Sequence, residues 1–252
     1  MILVDKIFIT NLPSFYKINL YNGIAKEINI LVVFTGDSIG PERNKDFFYQ
    51  KAHFNYIYLK KGKFQQILQI KKILLSHSFR EIIIGGWDSI PNWFVAFFFK
   101  ESKKSLIVES SYFESKSKGI IGLIKKIFLT RIQKVYVSGI SQEKLIRKLQ
   151  FKGEIIKTGG VGIFDIKKQP ALLKVNDIKK FIYVGRLSKE KNLVTLISVF
   201  KNLPDLELSI FGFGPLENQI KDIIKNINNI NFYGYIKNKQ LPLIYKRHHV
   251  FI

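Results

Sequence analysis

The sequence predicts an α/β protein built from parallel sheets that helices cover. Short apolar runs alternate with helical segments along most of the chain, which is typical of strand–helix–strand units. The runs are apolar throughout rather than alternating with polar residues, as expected for strands buried on both faces of a sheet. Hydrophobic residues make up 46% of the 252 residues, enough to fill one large core or two smaller ones.

The first half of the chain contains seven candidate strands separated by helical segments. We expect strands at 6–10, 28–35, 55–59, 81–84, 106–108, 135–137 and 154–157. Helical segments are expected at 15–24, 65–75, 93–99, 120–131 and 142–149. Ser14 is placed to cap the first of these helices, and Asp88 to cap the helix after the fourth strand. A glycine-rich and then polar stretch follows the last strand, so we expect a domain boundary there, with domains at 1–165 and 166–252.

The segment from Phe181 to Asn192 predicts a strand, a tight turn and the start of a helix. Gly185 ends the apolar strand, and Ser188 is placed to cap the helix that follows. Such a turn presents backbone N–H groups and the positive end of a helix to an anion, and Arg186 and Lys191 flank it. Each cation within roughly 4 Å of a phosphate charge contributes on the order of 4 kcal/mol before desolvation. The alternative is an ordinary strand–helix turn with two solvated cations.

Three further motifs follow this turn in a recognisable order. After GRLSKEKN come FGFGPLE, NFYGYI and LPLIYKRHHVFI, each at the end or start of a predicted strand. In this order the motifs resemble the donor-binding domain of glycosyltransferase family 4, the retaining GT-B sugar transferases, over Phe181 to Ile252. The resemblance implies two Rossmann-like domains whose parallel sheets face a cleft, with 166–252 binding a nucleotide-diphosphate sugar.

The resemblance also implies a metal-independent, cofactor-free transfer in which the leaving diphosphate is stabilised as the glycosidic bond breaks. Arg186 and Lys191 match the family's positions for this catalytic task, because cations placed where charge develops lower the barrier. The donor-binding residues it implies are Gly185, Gly212 and Gly214 near the nucleotide, and Gly234, Tyr235 and Ile236 beside the base. Ordinary turn geometry is the alternative explanation of these glycines.

The first half resembles the acceptor-side domains of family 4 enzymes that build bacterial surface polysaccharides. The resemblance lies in ITNLPSFYKINLYN, FTGDSIGPERN and IIIGGWDSIPNW. It implies a glycan or lipid-linked acceptor bound by loops at the carboxyl ends of the strands. The acceptor or cleft residues expected on this basis are Asn11, Tyr16, Trp87, Asp88, Glu109 and Ser110. Each also has a structural explanation, as a turn, a helix cap, packing or a surface carboxylate.

The charge and the absence of cysteine restrict partners and location. Lysine and arginine number 41 against 19 acidic residues, a net charge of +22 that favours anionic partners such as a nucleotide or an acidic membrane surface. Without cysteine there are no disulfides or thiolate metal sites, and no apolar run approaches the roughly 20 residues of a spanning helix. We expect a cytoplasmic protein. The segment from Lys118 to Lys134 mixes apolar and basic residues, and if this segment lies on an anionic membrane, the protein is peripheral to that membrane. Otherwise that segment simply covers a sheet.

Two other binding classes fit the sequence less well. A nicotinamide-dependent dehydrogenase would use FGFGPLE as its dinucleotide turn, but Glu217 occupies the third glycine position. The strand from Ile230 to Tyr235 also lacks the acidic end that contacts ribose. A nucleic-acid-binding protein would use the positive charge, yet no known binding module is present, so no nucleic acid partner is expected.

The chain stops where the family's donor domain continues. That domain goes on past the strand beginning at Val250 into a serine-rich turn and two glutamates eight positions apart, whereas this sequence ends at Ile252. We therefore expect a truncated product, a fragment or one part of a split enzyme, with an incomplete second domain. The alternative function is a remnant that binds a nucleotide sugar without turning it over.

Overall fold

The structure is a computed structural model that describes residues 1–36, 51–99, 103–160 and 177–252. The chain divides into two compact units. Of the described residues, those up to 160 belong to the first unit and those from 177 to the second. The predicted boundary between 165 and 166 lies outside the described residues.

The first unit is built on a seven-stranded parallel sheet with the strand order β4-β3-β2-β6-β7-β8-β9. A separate two-stranded parallel sheet joins β1 to β5. The strands are β1 (Ile2–Leu3), β2 (Lys6–Thr10), β3 (Ile30–Phe34), β4 (Asn55–Tyr58), β5 (His77–Ser78), β6 (Glu81–Ile84), β7 (Lys103–Val108), β8 (Lys134–Val137) and β9 (Glu154–Lys157). The prediction of a parallel sheet is confirmed, and all seven predicted strands are present.

Helices cover the two faces of this sheet unequally. They are α1 (Phe15–Ile24), α2 (Lys63–Ser76), α3 (Ile90–Phe98), α4 (Gly119–Leu129) and α5 (Ile140–Lys148). Successive strand residues point to opposite faces, so Ile7 and Ile9 pack in one core with residues of α2 to α5. Phe8 packs in a second core with Ile18 and Tyr21 of α1. Among the described helices, α1 alone contributes to that second core.

The second unit is a four-stranded parallel sheet with the order β12-β11-β10-β13. Its elements are β10 (Lys180–Val184), α6 (Leu193–Lys201), β11 (Glu207–Phe211), α7 (Glu217–Ile224), β12 (Ile230–Gly234), α8 (Leu241–Tyr245) and β13 (Val250–Phe251). Its core combines the strands with one face of α6 and of α7, in which Leu193, Ile197 and Ile220 are buried. The spacing of Leu193 and Ile197 places both on the same helix face.

The structure corrects three predicted helix caps. Ser14 lies at the N-cap position of α1, but its side chain makes no capping hydrogen bond. The cap of α3 is Ser89 and not Asp88, because the Ser89 hydroxyl accepts a hydrogen bond from the backbone N–H of Asn92 at 3.4 Å. Ser188 does not cap a helix that continues through residue 192. It precedes a single 3-10 turn, Lys189–Lys191, and Asn192 then adopts a left-handed conformation, with φ 52°, before α6 begins. Asparagine tolerates that conformation better than most residues.

Candidate functional site

The turn after β10 lies where the strand order of the second sheet reverses. Strand β11 pairs with β10 on one side and β13 pairs with it on the other. In open parallel sheets, ligands bind outside the carboxyl ends of the strands at such a reversal. The turn is attached to the loop after β11, because Gly185 N donates to Phe211 O and Leu187 N to Phe213 O, both at 3.0 Å.

Two glycines allow these loops to approach each other closely. Gly212 has φ +146°, and a Cβ there would lie 1.8 Å from the carbonyl oxygen of Gly185. Gly214 has φ +157°, and its Cβ would lie 2.6 Å from the carbonyl oxygen of Leu187. Loop contact alone therefore requires glycine at both positions. Approach of the backbone to a nucleotide at these glycines stays a prediction.

The Arg186 side chain contacts a carboxylate within its own turn. Its Nη2 donates to Glu190 Oε1 at 2.6 Å, and the Ser188 hydroxyl donates to the same oxygen at 2.7 Å. The pKa of Glu190 lies below its ordinary value. The Glu190 carboxylate accepts hydrogen bonds from the Ser188 hydroxyl and from the Glu190 backbone N–H, and it lies beside the Arg186 charge. The Arg186 and Glu190 side chains are 39% and 56% exposed, so the pair contributes about 0–1 kcal/mol. A phosphate group can therefore replace the Glu190 carboxylate at little cost.

Lys191 is exposed at the end of the 3-10 turn, five residues after Arg186. It forms no ion pair with any residue in the described part of the chain, whereas Arg186 does. Arg186 is thus held by a carboxylate of the turn, whereas the Lys191 side chain extends into solvent. A lysine side chain of this kind is a mobile point charge, whereas the guanidinium presents a planar fork to an oxyanion.

The remaining predicted donor residues lie at the end of β12 and in the loop that follows it, next to Gly212. The carbonyl oxygen of Gly234 accepts a hydrogen bond from Gly212 N at 2.8 Å. The Tyr235 ring contacts the Phe213 ring edge to face, with centroids 5.7 Å apart, and Ile236 is half-buried. The turns after β10, β11 and β12 therefore form one continuous edge of the sheet, although the role of each residue in donor binding remains a prediction.

In the first unit, a buried lysine joins two of the predicted acceptor residues. Lys17 is only 6% exposed, and its Nζ donates to Asn11 Oδ1 at 2.8 Å and to Thr10 Oγ1 at 3.3 Å. The same Nζ lies 3.2 Å from Glu109 Oε1. Asn11 follows β2 and Glu109 follows β7, so this cluster crosses the carboxyl edge of the sheet where its strand order reverses between β2 and β6.

The other predicted acceptor residues make different contacts. The Trp87 carbonyl accepts a hydrogen bond from Trp93 Nε1 at 2.7 Å, and its ring lies 5.1 Å from Lys125 Nζ, so it packs with α3 and α4. Asp88 lies in the same loop, with one carboxylate oxygen close to Gly86. The Tyr16 ring contacts Phe15, and Ser110 is half-buried after Glu109. None of these contacts connects Trp87, Asp88, Tyr16 or Ser110 to the Lys17 cluster within the described residues.

Sequence reasoning missed Lys17 and Glu190. Lys17 lies one helical turn before Tyr21, on the face of α1 that packs on the sheet, and a lysine on such a face indicates a buried partner. Glu190 lies between the two predicted cations, and a carboxylate in a basic turn indicates an internal ion pair. The spacing of Lys17 does not identify its partners by itself, because Thr10 ends β2 and Glu109 follows β7, and only the fold brings these two strand ends together.

A second feature of the first unit is an exposed apolar face on α4. Ile120 is 78% exposed and Leu123 59%, and Ile121, Ile124 and Ile127 are each 43% exposed. The helix buries Gly122, Phe128 and Leu129 instead. Among the described residues no helix is long and apolar enough to cross a membrane. The five exposed apolar residues therefore form a surface patch, while Phe128 and Leu129 of the same helix pack on the sheet.

The described residues contain no group of three or more histidine, aspartate or glutamate side chains arranged to hold a metal ion. The anion-binding features at the carboxyl edge of the second sheet are cations and backbone N–H groups.

Residues 165–252 match the family model described as glycosyl transferases group 1. No curated protein matches the chain. The match includes the turns after β10, β11 and β12, and so covers every residue predicted to bind or activate a donor. It begins at residue 165 and so includes none of the described residues of the first unit.

Several solved structures share the fold. The apo form of the lipopolysaccharide outer core galactosyltransferase WaaB is similar with TM-score 0.60 and 13% identity, covering 98% of this chain and 72% of that chain. The pneumococcal O-GlcNAc transferase GtfA, in complex with UDP and GlcNAc, has TM-score 0.67 and 12% identity over 98% and 79%. The UDP-GlcNAc 2-epimerase from Methanocaldococcus jannaschii has TM-score 0.56 and 12% identity over 100% and 78%. At such identities the likeness shows the fold alone, and the predicted fold class, two α/β units of the GT-B type, is confirmed.

Proposed function

We propose that the protein is a glycosyltransferase that transfers a sugar from a nucleotide-diphosphate sugar to a glycan or lipid-linked acceptor in polysaccharide biosynthesis. The observation that carries the proposal is the position of the Arg186 turn. It lies at the carboxyl end of β10, where the strand order reverses, within the segment that matches the glycosyl transferase family model. A UDP-GlcNAc 2-epimerase also shares the fold, but the family model that matches residues 165–252 describes glycosyl transferases.

The proposed chemistry is the stabilisation of a leaving diphosphate. As the bond between the anomeric carbon and the phosphate oxygen breaks, negative charge grows on the diphosphate, and the guanidinium of Arg186 and the ammonium of Lys191 compensate it. Glu190 holds the guanidinium in the turn until the diphosphate takes over its hydrogen bond. We propose retention of configuration and a metal-independent reaction, in keeping with the family 4 resemblance.

Titration calorimetry with UDP-sugars and GDP-sugars tests the donor site. We expect Arg186→Ala and Lys191→Ala each to weaken donor binding by about 10- to 100-fold, because a hydrogen bond to a charged group contributes about 1.5–3 kcal/mol. Lys189→Ala is the matched control, since it removes an exposed cation from the same 3-10 turn. Equal losses of donor affinity in all three variants would mean that the turn attracts the donor through its net charge and not through specific contacts of Arg186 and Lys191.

Product analysis separates an enzyme from a remnant. Incubation with a bound donor and a mixture of bacterial glycans and lipid-linked oligosaccharides should yield free nucleoside diphosphate and a sugar-extended acceptor. Donor binding that persists without transfer would support the alternative, a chain that binds the nucleotide sugar and does not turn it over. Release of a free epimerised sugar nucleotide would contradict both.

We further propose that α4 holds the protein on the cytoplasmic face of an anionic membrane. Five large apolar side chains of α4 are exposed, and the segment around them carries Lys116, Lys118, Lys126 and Arg131. An apolar patch bordered by cations fits the boundary between acyl chains and anionic headgroups. Lipid-linked acceptors reside at such a surface.

Vesicle flotation tests the membrane contact. Leu123→Asp combined with Ile127→Asp should reduce the fraction bound to vesicles containing phosphatidylserine by at least tenfold, because two carboxylates would enter the apolar layer. The control combines Val194→Asp and Val199→Asp, which makes the same change at exposed apolar residues of α6. Absence of flotation by the unaltered protein at low salt would end this proposal.

A further inference from the structure

A cavity of about 280 Å³ lies in the first unit, on the side of the sheet that α1 covers. Most of its wall is apolar, with strand residues on one side and α1 residues on the other: Phe8, Ile83, Ile107, Tyr136, Leu20 and Ile24. Nothing in the proposed donor chemistry uses this cavity. At roughly 30 Å³ for each water-sized group, it holds about nine such groups.

One end of the cavity is polar, and its side chains are held in place by contacts with one another. Lys17, 6% exposed, lines it together with Thr10 and Glu109, and these three side chains contact one another at 3.2–3.3 Å through Lys17 Nζ. Gly85, the residue that follows β6, also lines the cavity, so the polar end lies at the reversal of the strand order. This is the position where open α/β sheets bind small molecules.

The charges of the cavity are paired, which determines the charge of its ligand. Lys17 lies against Glu109, and Lys6, which also lines the cavity, lies 2.8 Å from Glu81 Oε2. Burial raises the pKa of Tyr21, so this wall residue stays neutral. Among the described residues, a charged group at this end would find no free counter-charge, whereas a hydroxyl group needs only a hydrogen-bond partner.

We propose that this cavity binds the apolar part of a neutral alcohol of about nine carbons, whose hydroxyl group donates to the Glu109 carboxylate beside Lys17. A free sugar is excluded as the main occupant, because its hydroxyl groups would face apolar walls without partners. The inference rests on the proposed function in one respect: in the transferase, this alcohol is the apolar portion of the acceptor. The acceptor class is then an amphiphile that carries a hydroxyl group next to an aliphatic group.

Calorimetry with straight-chain alcohols from butanol to dodecanol tests the size and chemistry of the site. We expect saturable binding at one site, with affinity rising about fourfold for each added methylene and levelling off near nine carbons, when the cavity is full. Nonanoate and nonylammonium should bind at least tenfold more weakly than nonanol. The inference fails if no alcohol binds saturably, if affinity keeps rising to dodecanol, or if either ion binds as tightly as nonanol.

Two cavity-filling variants with a matched control locate the site. Ile107→Trp should reduce nonanol affinity at least tenfold, because the indole would occupy the cavity. Ile107, Tyr136 and Ile156 lie in register on three neighbouring strands, so Ile156 is on the same sheet face but outside the cavity wall. Ile156→Trp should therefore leave nonanol affinity within twofold. If Ile107→Trp does not fold by circular dichroism, Leu20→Trp makes the same block from α1, and unchanged nonanol binding by the folded variant overturns the inference.

The same samples separate this inference from the proposed function. Nucleotide-sugar binding by Ile107→Trp should equal that of the unaltered protein, since the variant changes only the first unit. Nonanol binding without any nucleotide-sugar binding would leave the cavity ligand standing and remove the transferase. Nucleotide-sugar binding without nonanol binding would overturn the cavity ligand and leave the proposed transferase standing.

Discussion

At the residue scale, the partly buried charges of the first sheet are held by side chains from neighbouring strands. Glu81 of β6 lies 2.8 Å from Lys6 Nζ of β2 and accepts a hydrogen bond from the Ser105 hydroxyl of β7. Burial raises the pKa of Glu81, but the Lys6 and Ser105 hydrogen bonds outweigh burial and hold it below its ordinary 4.5. Three adjacent strands are thus joined by one carboxylate.

This arrangement predicts a loss of stability in acid. Because its folded pKa lies below 4.5, the stability contributed by Glu81 is present above pH 4.5 and is lost as the pH falls through the folded value. Glu81→Gln should lower the free energy of unfolding by about 1–2 kcal/mol at pH 7, and by much less at pH 3. Urea unfolding at both pH values measures the difference.

Glu154→Gln is the control for that prediction. Glu154 pairs with Lys134 at 3.2 Å, but its side chain is 59% exposed, so its loss should cost less than about 0.5 kcal/mol at either pH. Equal effects of the two substitutions at pH 7 would contradict the role assigned to Glu81.

Single residues show where prediction from sequence succeeded and where it stopped. The Arg186 turn was predictable because strand, glycine and cations are contiguous in the chain. Lys17 was not, because its meaning depends on Glu109, which is distant in sequence and reaches Lys17 only through the order of the strands. Glu190 was missed for a different reason: among lysines it resembles a solvated carboxylate until its contact with Arg186 is seen.

At the scale of elements, the loops after β10, β11 and β12 are joined by backbone hydrogen bonds that require glycine. Gly212 N donates to Gly234 O at 2.8 Å, while the Gly212 Cα faces the Gly185 carbonyl. A side chain at residue 212 would have to displace the loop that carries Arg186. The geometry of the loop that carries Arg186 therefore depends on Gly212, which lies 26 positions later in the chain.

The glycines predict a graded series of effects. Gly234→Ala should lower stability by about 1–2 kcal/mol, because φ is +74° but no atom lies within 4 Å of the new Cβ. Gly212→Ala should cost on the order of 4 kcal/mol, because its Cβ would overlap the Gly185 carbonyl oxygen at 1.8 Å. Thermal unfolding gives the stabilities, and donor titration should show the larger loss of binding for Gly212→Ala. Similar costs for both would contradict the loop contact.

Element types were predictable, but the ends of the helices were less so than those of the strands. Strands such as β2 and β6 match the predicted ranges because buried apolar runs have clear limits. The cap of α3 was assigned to Asp88 because adjacent aspartate and serine are equally good caps, and only the backbone conformation at Ser89 decides between them. The outward direction of the apolar side of α4 was also open in the sequence, since a covering helix has the same composition.

At the scale of the molecule, a net charge of +22 acts on anionic ligands and not on neutral ones. The proposed nucleotide sugar and the proposed membrane surface are anionic, while the proposed cavity ligand is neutral. Salt screens interactions between exposed charges beyond about 10 Å at 0.1 M and about 3 Å at 1 M. Ionic strength therefore separates the three kinds of binding.

Raising sodium chloride from 0.05 to 0.5 M should weaken donor binding by about tenfold and abolish most flotation with anionic vesicles. Nonanol binding should change by less than twofold, because its site contains paired charges and apolar walls. Calorimetry and flotation in the same buffers provide the measurements. A comparable salt dependence of nonanol binding would indicate that the alcohol binds elsewhere on the charged surface.

The position of β10 between β11 and β13 also affects the order in which the second unit is completed. Strand β11 follows β10 closely in the chain and can pair with it early during translation, whereas Phe181 must wait for its partner Val250. The crevice beside Arg186 thus gains its second wall only after synthesis has passed Phe251. The proposed affinity for phosphate is therefore acquired late, after the sheet has begun to form.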